Sequence, residues 1–94
     1  MIEFKNADEA YLDWLQKNPQ GFVLNLRQLC DPGYVVLHRA TCRMISNSKN
    51  LSGAYTARSY RKICAVNISE LQKAAKQEGR ADGSFSKRCG LCDP

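Results

Sequence analysis

The feature that most constrains this sequence is a set of four metal-ligand residues at two distant places in the chain. His38 and Cys42 are four residues apart, and a Cys-x2-Cys pair follows at Cys89 and Cys92. One imidazole and three thiolates form a donor set that a tetrahedral Zn2+ ion takes. We therefore predict that one structural zinc ion joins the two parts of the chain through these four residues.

The spacing within each pair supports this prediction to a different degree. In a Cys-x2-Cys turn both thiolates can face one ion, and Gly90 removes a Cβ atom that would crowd the turn. His38 and Cys42 would share one side of a helical turn that begins at the end of a strand. Two alternatives stay open. The residues could be buried cysteines and a satisfied histidine, or the Cys-x2-Cys pair could be a redox dithiol, which usually lies at a helix N-terminus.

Four protein ligands would leave no open position on the ion for an activated water molecule. The sequence also lacks the phosphate-binding, dinucleotide-binding, metalloprotease and hydrolase motifs. We therefore expect a structural metal and name no catalytic residue; the sequence leaves open whether the protein is an enzyme and favours one that is not.

The excess of positive over negative charge lies in the middle of the chain. The net charge is +5, and residues 32–69 carry six basic side chains and no acidic one. A phosphate backbone is the commonest partner for such a segment, so nucleic acid is the predicted partner, and an ordinary solvated surface is the alternative. The predicted nucleic-acid-binding residues are Arg39, Arg43, Lys49, Arg58, Arg61 and Lys62.

The first half of the chain predicts a helix and two strands. Asn6 is typical of an N-cap, with Glu9 completing a capping box, and Pro19 prevents the helix from continuing. Apolar and polar residues alternate over 22–27, as in a half-buried strand, whereas 34–37 is apolar throughout.

The second half predicts a third strand and a second helix. One or two helical turns are expected over 40–45, and the polar stretch 46–59 has the length and composition of a binding loop or of an excursion without function. A strand is predicted over 60–66. The helix after it would be capped by Ser69 and ended by Gly79.

These elements predict one α+β domain spanning residues 1–94. Its small antiparallel sheet would have about three strands, with two helices, tied together by the zinc ion. A chain of this length buries a modest core, so its stability should depend on the metal.

The sequence also predicts a soluble, cytoplasmic protein with no membrane partner. No apolar run reaches the roughly 20 residues that span a bilayer, and the first residues do not resemble a signal peptide. Five cysteines are an odd number, which argues against a complete disulfide framework. Cys64 is expected to be a small buried residue, and Cys30 is left as an alternative ligand.

The order strand, His-Arg-x2-Cys, long interval, Cys-x2-Cys-Asp-Pro resembles the zinc-binding domain of Ada-type DNA repair methyltransferases, over the four ligand positions and their flanks. That family carries a Cys-x3-Cys pair and a closing Cys-x2-Cys pair. The first cysteine of its Cys-x3-Cys pair accepts a methyl group from a phosphotriester. Here that position is His38, and an imidazole does not replace the thiolate, so methyl transfer is not carried over. The chain is also similar to small uncharacterised bacterial zinc-knuckle proteins, some attached to nucleases, which implies a nucleic-acid context.

Three functions are therefore compatible with the sequence. The first is a zinc-stabilised module that binds nucleic acid, in particular the DNA backbone, without reading its sequence. The second is an adaptor that presents a zinc knuckle to a partner protein, which an exposed apolar patch around Trp14 or Tyr55 would favour. The third is an alkyl acceptor acting through a thiolate of Cys42, Cys89 or Cys92.

Overall fold

Two helices pack on opposite faces of a five-stranded sheet in the computed structural model, which describes residues 1–47 and 52–94. The predicted α+β class with two helices is confirmed. The elements follow in the order β1 (Ile2–Phe4), α1 (Asp8–Lys17), β2 (Phe22–Arg27), β3 (Val35–Arg39), a 3-10 turn (Arg43–Ile45), β4 (Tyr60–Ala65), α2 (Ile68–Gln77) and β5 (Lys87–Arg88).

The sheet is larger than the predicted three antiparallel strands. Its order is β1-β4-β2-β3-β5, and the pairing is antiparallel except between β3 and β5, which run parallel. The two additional strands, β1 and β5, are three and two residues long. Such short segments show no alternation of apolar and polar residues, and their strand conformation depends on pairing with distant neighbours.

The alternation along β2 and β4 divides the core into two layers. Leu24 and Ile63 face α2, where Leu71 is completely buried. Val23 and Cys64 face the other way, towards Tyr11 of α1. The predicted strands 22–27 and 60–66 are therefore confirmed, apart from one residue at the end of β4, but β2 is not half-buried, because Val23 on one face and Leu24 on the other are both completely buried.

The start of α1 differs from the prediction. Its N-cap is Ala7, which has no side-chain cap, and Asn6 has a φ of 53° outside the helix. The first turn is instead stabilised by Thr56, whose Oγ1 accepts the Ala7 N–H at 2.8 Å, while the Asp8 carboxylate accepts the Thr56 N–H at 2.8 Å. The predicted capping box with Glu9 is therefore wrong, because a residue far along the chain satisfies this helix terminus.

The start of α2 also differs. Asn67 is the N-cap, since its Oδ1 accepts the Glu70 N–H at 3.0 Å, and the predicted cap Ser69 donates its hydroxyl to the same oxygen at 2.8 Å. The predicted end of the helix is confirmed. Gly79 has a φ of 100°, in the left-handed region where glycine is favoured, and its N–H donates to the Lys76 carbonyl.

Of the two segments predicted after β3, the helical turn is shorter than expected, and the loop lies only partly within the described residues. The helical segment expected over 40–45 is reduced to the 3-10 turn Arg43–Ile45. Of the expected loop 46–59, residues 48–51 lie outside the described residues, and Thr56 is completely buried.

Across the described residues, no helix combines the length and the apolar character that crossing a bilayer requires.

The two possible caps of α2 can be separated by mutation. Asn67→Ala should lower the free energy of unfolding by about 1 kcal/mol, because the Glu70 N–H loses its partner. Ser69→Ala is the matched control and should cost clearly less. Chemical denaturation of both variants measures this. Equal losses, or a larger loss for Ser69→Ala, would contradict the assignment of Asn67 as the cap.

Candidate metal centre

The four predicted ligands meet at one place in the structure. One donor atom each from His38, Cys42, Cys89 and Cys92 lies within 4.8 Å of all the others. A tetrahedral ion with metal–sulfur bonds of about 2.3 Å holds its sulfur atoms about 3.8 Å apart. The Cys42 and Cys89 sulfur atoms are 3.9 Å apart, which fits a single ion between them.

The parallel pairing of β5 with β3 brings the two halves of this centre together. Val36 pairs with Lys87 and Leu37 with Arg88, so the chain that leaves β5 runs beside His38. The Cys89 N–H then donates to the Leu37 carbonyl at 2.9 Å. Cys89 is thereby held within the sheet, although it comes 51 residues after His38.

His38 and Cys42 converge for a different reason from the one that their spacing suggested. His38 belongs to β3, and Cys42 has an extended backbone with φ −68° and ψ 125° just before the 3-10 turn. The chain therefore bends between them, and no helical face carries both residues. The turn is fixed from outside by Tyr11, whose hydroxyl donates to the Ile45 carbonyl at 2.7 Å.

Backbone N–H groups support the thiolates of the Cys-x2-Cys turn. The Arg39 N–H donates to the Cys92 sulfur at 3.2 Å, and the Asp93 N–H closes the turn onto the Cys89 carbonyl at 3.1 Å. Gly90 does not have the steric role that was predicted, since a Cβ atom built there meets no described atom within 4 Å.

The histidine is held in the form that binds metal. Burial, followed by the charges of Lys62 and Lys87, lowers the pKa of His38 to about 4, so the imidazole is neutral at pH 7. Its Nδ1 atom is buried and has no hydrogen-bond partner among the described residues. A buried nitrogen without a hydrogen-bond partner costs free energy. Coordination of a metal ion by this imidazole would offset that cost.

The thiols differ in how readily they lose a proton. Burial raises the pKa of Cys42 to about 12. At Cys89 burial also acts to raise the pKa, but hydrogen bonds from the backbone N–H groups of Cys92 and Leu91 outweigh it and lower the pKa overall. A bound metal ion would displace the thiol protons. The four residues could therefore hold a cation that prefers thiolate and imidazole ligands.

The two remaining cysteines lie elsewhere. Cys30 is exposed, and its thiol donates to the Glu78 carbonyl at 3.3 Å, so it does not join the four ligands. Cys64 is completely buried between β4 and α1, as a small apolar residue would be.

Two of the predicted nucleic-acid-binding residues have their charges inside the protein. Arg61 is buried and forms ion pairs with Glu3 and Glu78. Lys62 is only 2% exposed, and its ammonium group donates to the Tyr55 carbonyl at 2.6 Å. Both were expected to contact phosphate, and the structure instead gives them internal partners.

The other predicted cations differ in placement. Arg39, Arg43 and Arg58 are exposed, and Lys49 lies outside the described residues. Arg39 donates from Nε and Nη2 to the carbonyls of Cys92 and Asp93, both at 2.9 Å, so it also anchors the Cys-x2-Cys turn. Arg58 donates from Nε to the carbonyl of residue 52 at 2.7 Å.

Sequence reasoning missed two exposed cations beside the metal centre. Lys87 and Arg88 form β5 and pair with β3, two and one positions before the ligand Cys89. They were overlooked because the charges of residues 70–94 nearly balance. The available signal was their position directly before a predicted ligand, since a ligand's neighbours must lie close to the ion.

No protein-family model, curated protein or solved structure matches this chain.

The ligand assignment predicts one metal ion per chain. Protein loaded with Co2+ should show the absorption bands of a tetrahedral site with thiolate ligands, and Cys42→Ser or Cys89→Ser should abolish them. Cys30→Ser is the matched control and should bind the metal normally.

A strong chelator should lower the free energy of unfolding by several kcal/mol, measured by denaturation. Unchanged spectra in the ligand variants would exclude this centre.

The buried lysine predicts an unusual pH dependence of stability. Burial is the largest effect at Lys62 and lowers its pKa to about 8, from 10.5. Between these values the unfolded chain binds more protons than the folded one, so the free energy of unfolding should rise with pH. Relative to Lys62→Met, the wild-type protein should gain roughly 1.4 kcal/mol per pH unit between pH 8 and 10.5.

Metal-loaded samples of both proteins should be denatured at several pH values, so that the titration of groups that do not interact with Lys62 cancels in the difference. A difference that stays constant with pH would show that Lys62 keeps an ordinary pKa.

Proposed function

We propose that this protein is a small zinc-stabilised module that binds nucleic acid through phosphate contacts around its metal centre. Zinc is the proposed ion because one nitrogen and three sulfur donors, with no open coordination position, are typical of structural zinc sites. The observation that carries the proposal is that exposed cations directly flank the ligands. Arg39 follows His38, Arg43 follows Cys42, and Arg88 precedes Cys89.

The charges beside the metal centre are not neutralised by ion pairs within the described part of the chain. Among the described residues, no Asp or Glu side chain forms an ion pair with Arg39, Arg43, Lys87 or Arg88, whereas Lys17 pairs with a carboxylate. A group of cations without internal neutralisation attracts a polyanion and releases the counterions that surround it. This supports a phosphate backbone as the ligand.

The four cations would take part in the proposed interface in two ways. Arg43 and Lys87 are exposed and supply charge alone. Arg39 and Arg88 each use some of their donors on backbone carbonyls of the last three residues, with Arg88 bonded to the Pro94 carbonyl at 3.1 Å. A guanidinium has five N–H donors, so both residues keep donors for phosphate.

The ion would act by fixing positions. Binding of the four ligands would hold β3, the turn after it and β5 together, and the flanking cations would keep their relative places as a consequence. Phosphate contacts of this kind set orientation and affinity but carry no base sequence, so the proposed partner is DNA bound without sequence specificity.

An adaptor that binds another protein is the second candidate, favoured by one observation. Met44 and Leu91 are 68% and 51% exposed, and both lie beside the metal centre. Exposed apolar side chains grouped in this way are common at protein interfaces.

Salt dependence tests the phosphate contacts. The affinity for a short DNA duplex should fall steeply between 50 and 200 mM salt, and Arg43→Gln and Lys87→Gln should each reduce the slope of log K against log salt by about 1. Lys73→Gln is the matched control, since it removes an exposed charge from α2 on the opposite face of the sheet. Fluorescence anisotropy measures the duplex affinity of the wild-type protein and the three variants at each salt concentration.

Two results would overturn the proposal. One is no binding at 50 mM salt by metal-loaded protein. The other is a slope that Lys73→Gln lowers as much as Arg43→Gln, since the interface would then not lie at the metal centre.

A further inference from the structure

A groove of about 400 Å3 opens beside the metal centre. Its floor is formed by sheet residues, among them Asn25 and Val36, and its sides carry Met44 from the 3-10 turn and Leu91 from the Cys-x2-Cys turn. This volume falls within the range of small-ligand sites. The groove is separate from the cations that carry the proposed phosphate contacts, except for Lys87 at its edge.

The chemistry of the groove is mixed in a specific way. The Asn25 Nδ2 donates to the Tyr34 hydroxyl at 3.3 Å, but the Asn25 Oδ1 is buried without a hydrogen-bond partner among the described residues. A buried acceptor without a partner is unfavourable, and a ligand N–H group would satisfy it. The groove therefore combines apolar sides, the metal-centre residues His38 and Cys89, one exposed ammonium group and, beneath its surface, one unused acceptor.

We propose that this groove takes the base of one unpaired nucleotide, which rests on the proposed function above. The flat face of the base would lie against Met44 and Leu91, since methionine sulfur makes favourable contacts with aromatic rings. Its edge would donate an N–H group to Asn25. The attached phosphate would be neutralised by Lys87, whose place in β5 is set by pairing with Val36.

An unpaired base fits this description better than a base pair. Every nucleobase carries an N–H donor on its Watson–Crick edge, and in a duplex that donor is already used and the base faces are stacked. The Asn25 oxygen is covered in the free protein, so a wall side chain must move to admit the donor. Met44 is unbranched and largely exposed, which allows this movement.

The chain offers two ways to alter the groove without touching the phosphate contacts. Met44→Ala removes one side wall. Gly90→Leu adds a side chain at a groove-lining position where a Cβ atom meets no described atom within 4 Å, so it should narrow the groove and leave the backbone of the turn in place. Leu29→Ala is the matched control, because Leu29 is 84% exposed and does not line the groove.

The experiment compares two single strands of equal length and equal charge. One is a 12-nucleotide oligothymidine, and the other is the same strand in which every base is replaced by an abasic site. Wild-type protein loaded with metal should bind the first about tenfold more tightly. Met44→Ala and Gly90→Leu should reduce this ratio towards 1 with unchanged affinity for the abasic strand, and Leu29→Ala should keep it. The Co2+ spectrum of each variant reports an intact metal centre.

The outcomes separate the two proposals. Equal binding of both strands by the wild-type protein overturns the base site and leaves the phosphate interface standing, with the apolar walls then available to a partner protein. A preference for the strand with bases that neither groove variant reduces places the base elsewhere and also overturns it. No binding of either strand at 50 mM salt overturns the base site, and it overturns the proposed function as well if the duplex is also not bound.

Discussion

The convergence of two short chain segments on four donor atoms is the constraint on which the rest of the structure depends. β5 is two residues long, and its pairing with β3 would be too weak to persist alone. A metal joining Cys42 to Cys89 would close a loop of 47 residues, which by chain entropy stabilises the folded state by about 4 kcal/mol. The sheet edge and the metal centre therefore support each other, since each keeps the other's components in place.

The ligands could be predicted from sequence because coordination chemistry limits the choice of side chains strongly. Only a few residue types bind zinc, so His38, Cys42, Cys89 and Cys92 stand out without any knowledge of the fold. Strands β2 and β4 could be predicted for a similar reason, since each is long enough to alternate between two buried layers. In both cases the information lies in the residues themselves.

What could not be predicted depends on distant partners. Thr56 stabilises the start of α1 from 49 positions away, and a local pattern therefore pointed to the wrong cap. The charges of Arg61 show the same limitation. Its segment has no acidic residue nearby in sequence, yet Glu3 and Glu78 reach it through the fold. An unneutralised run of cations in a sequence thus says little about which of them remain exposed.

The hydrogen bond from the Tyr11 hydroxyl to the Ile45 carbonyl has a mechanical consequence. It joins the helix on one face of the sheet to the 3-10 turn that directly follows Cys42, and the Tyr11 side chain is completely buried. A change in the position of Cys42 on metal binding would therefore reach α1 through this hydrogen bond, so the metal centre and the helix are structurally coupled.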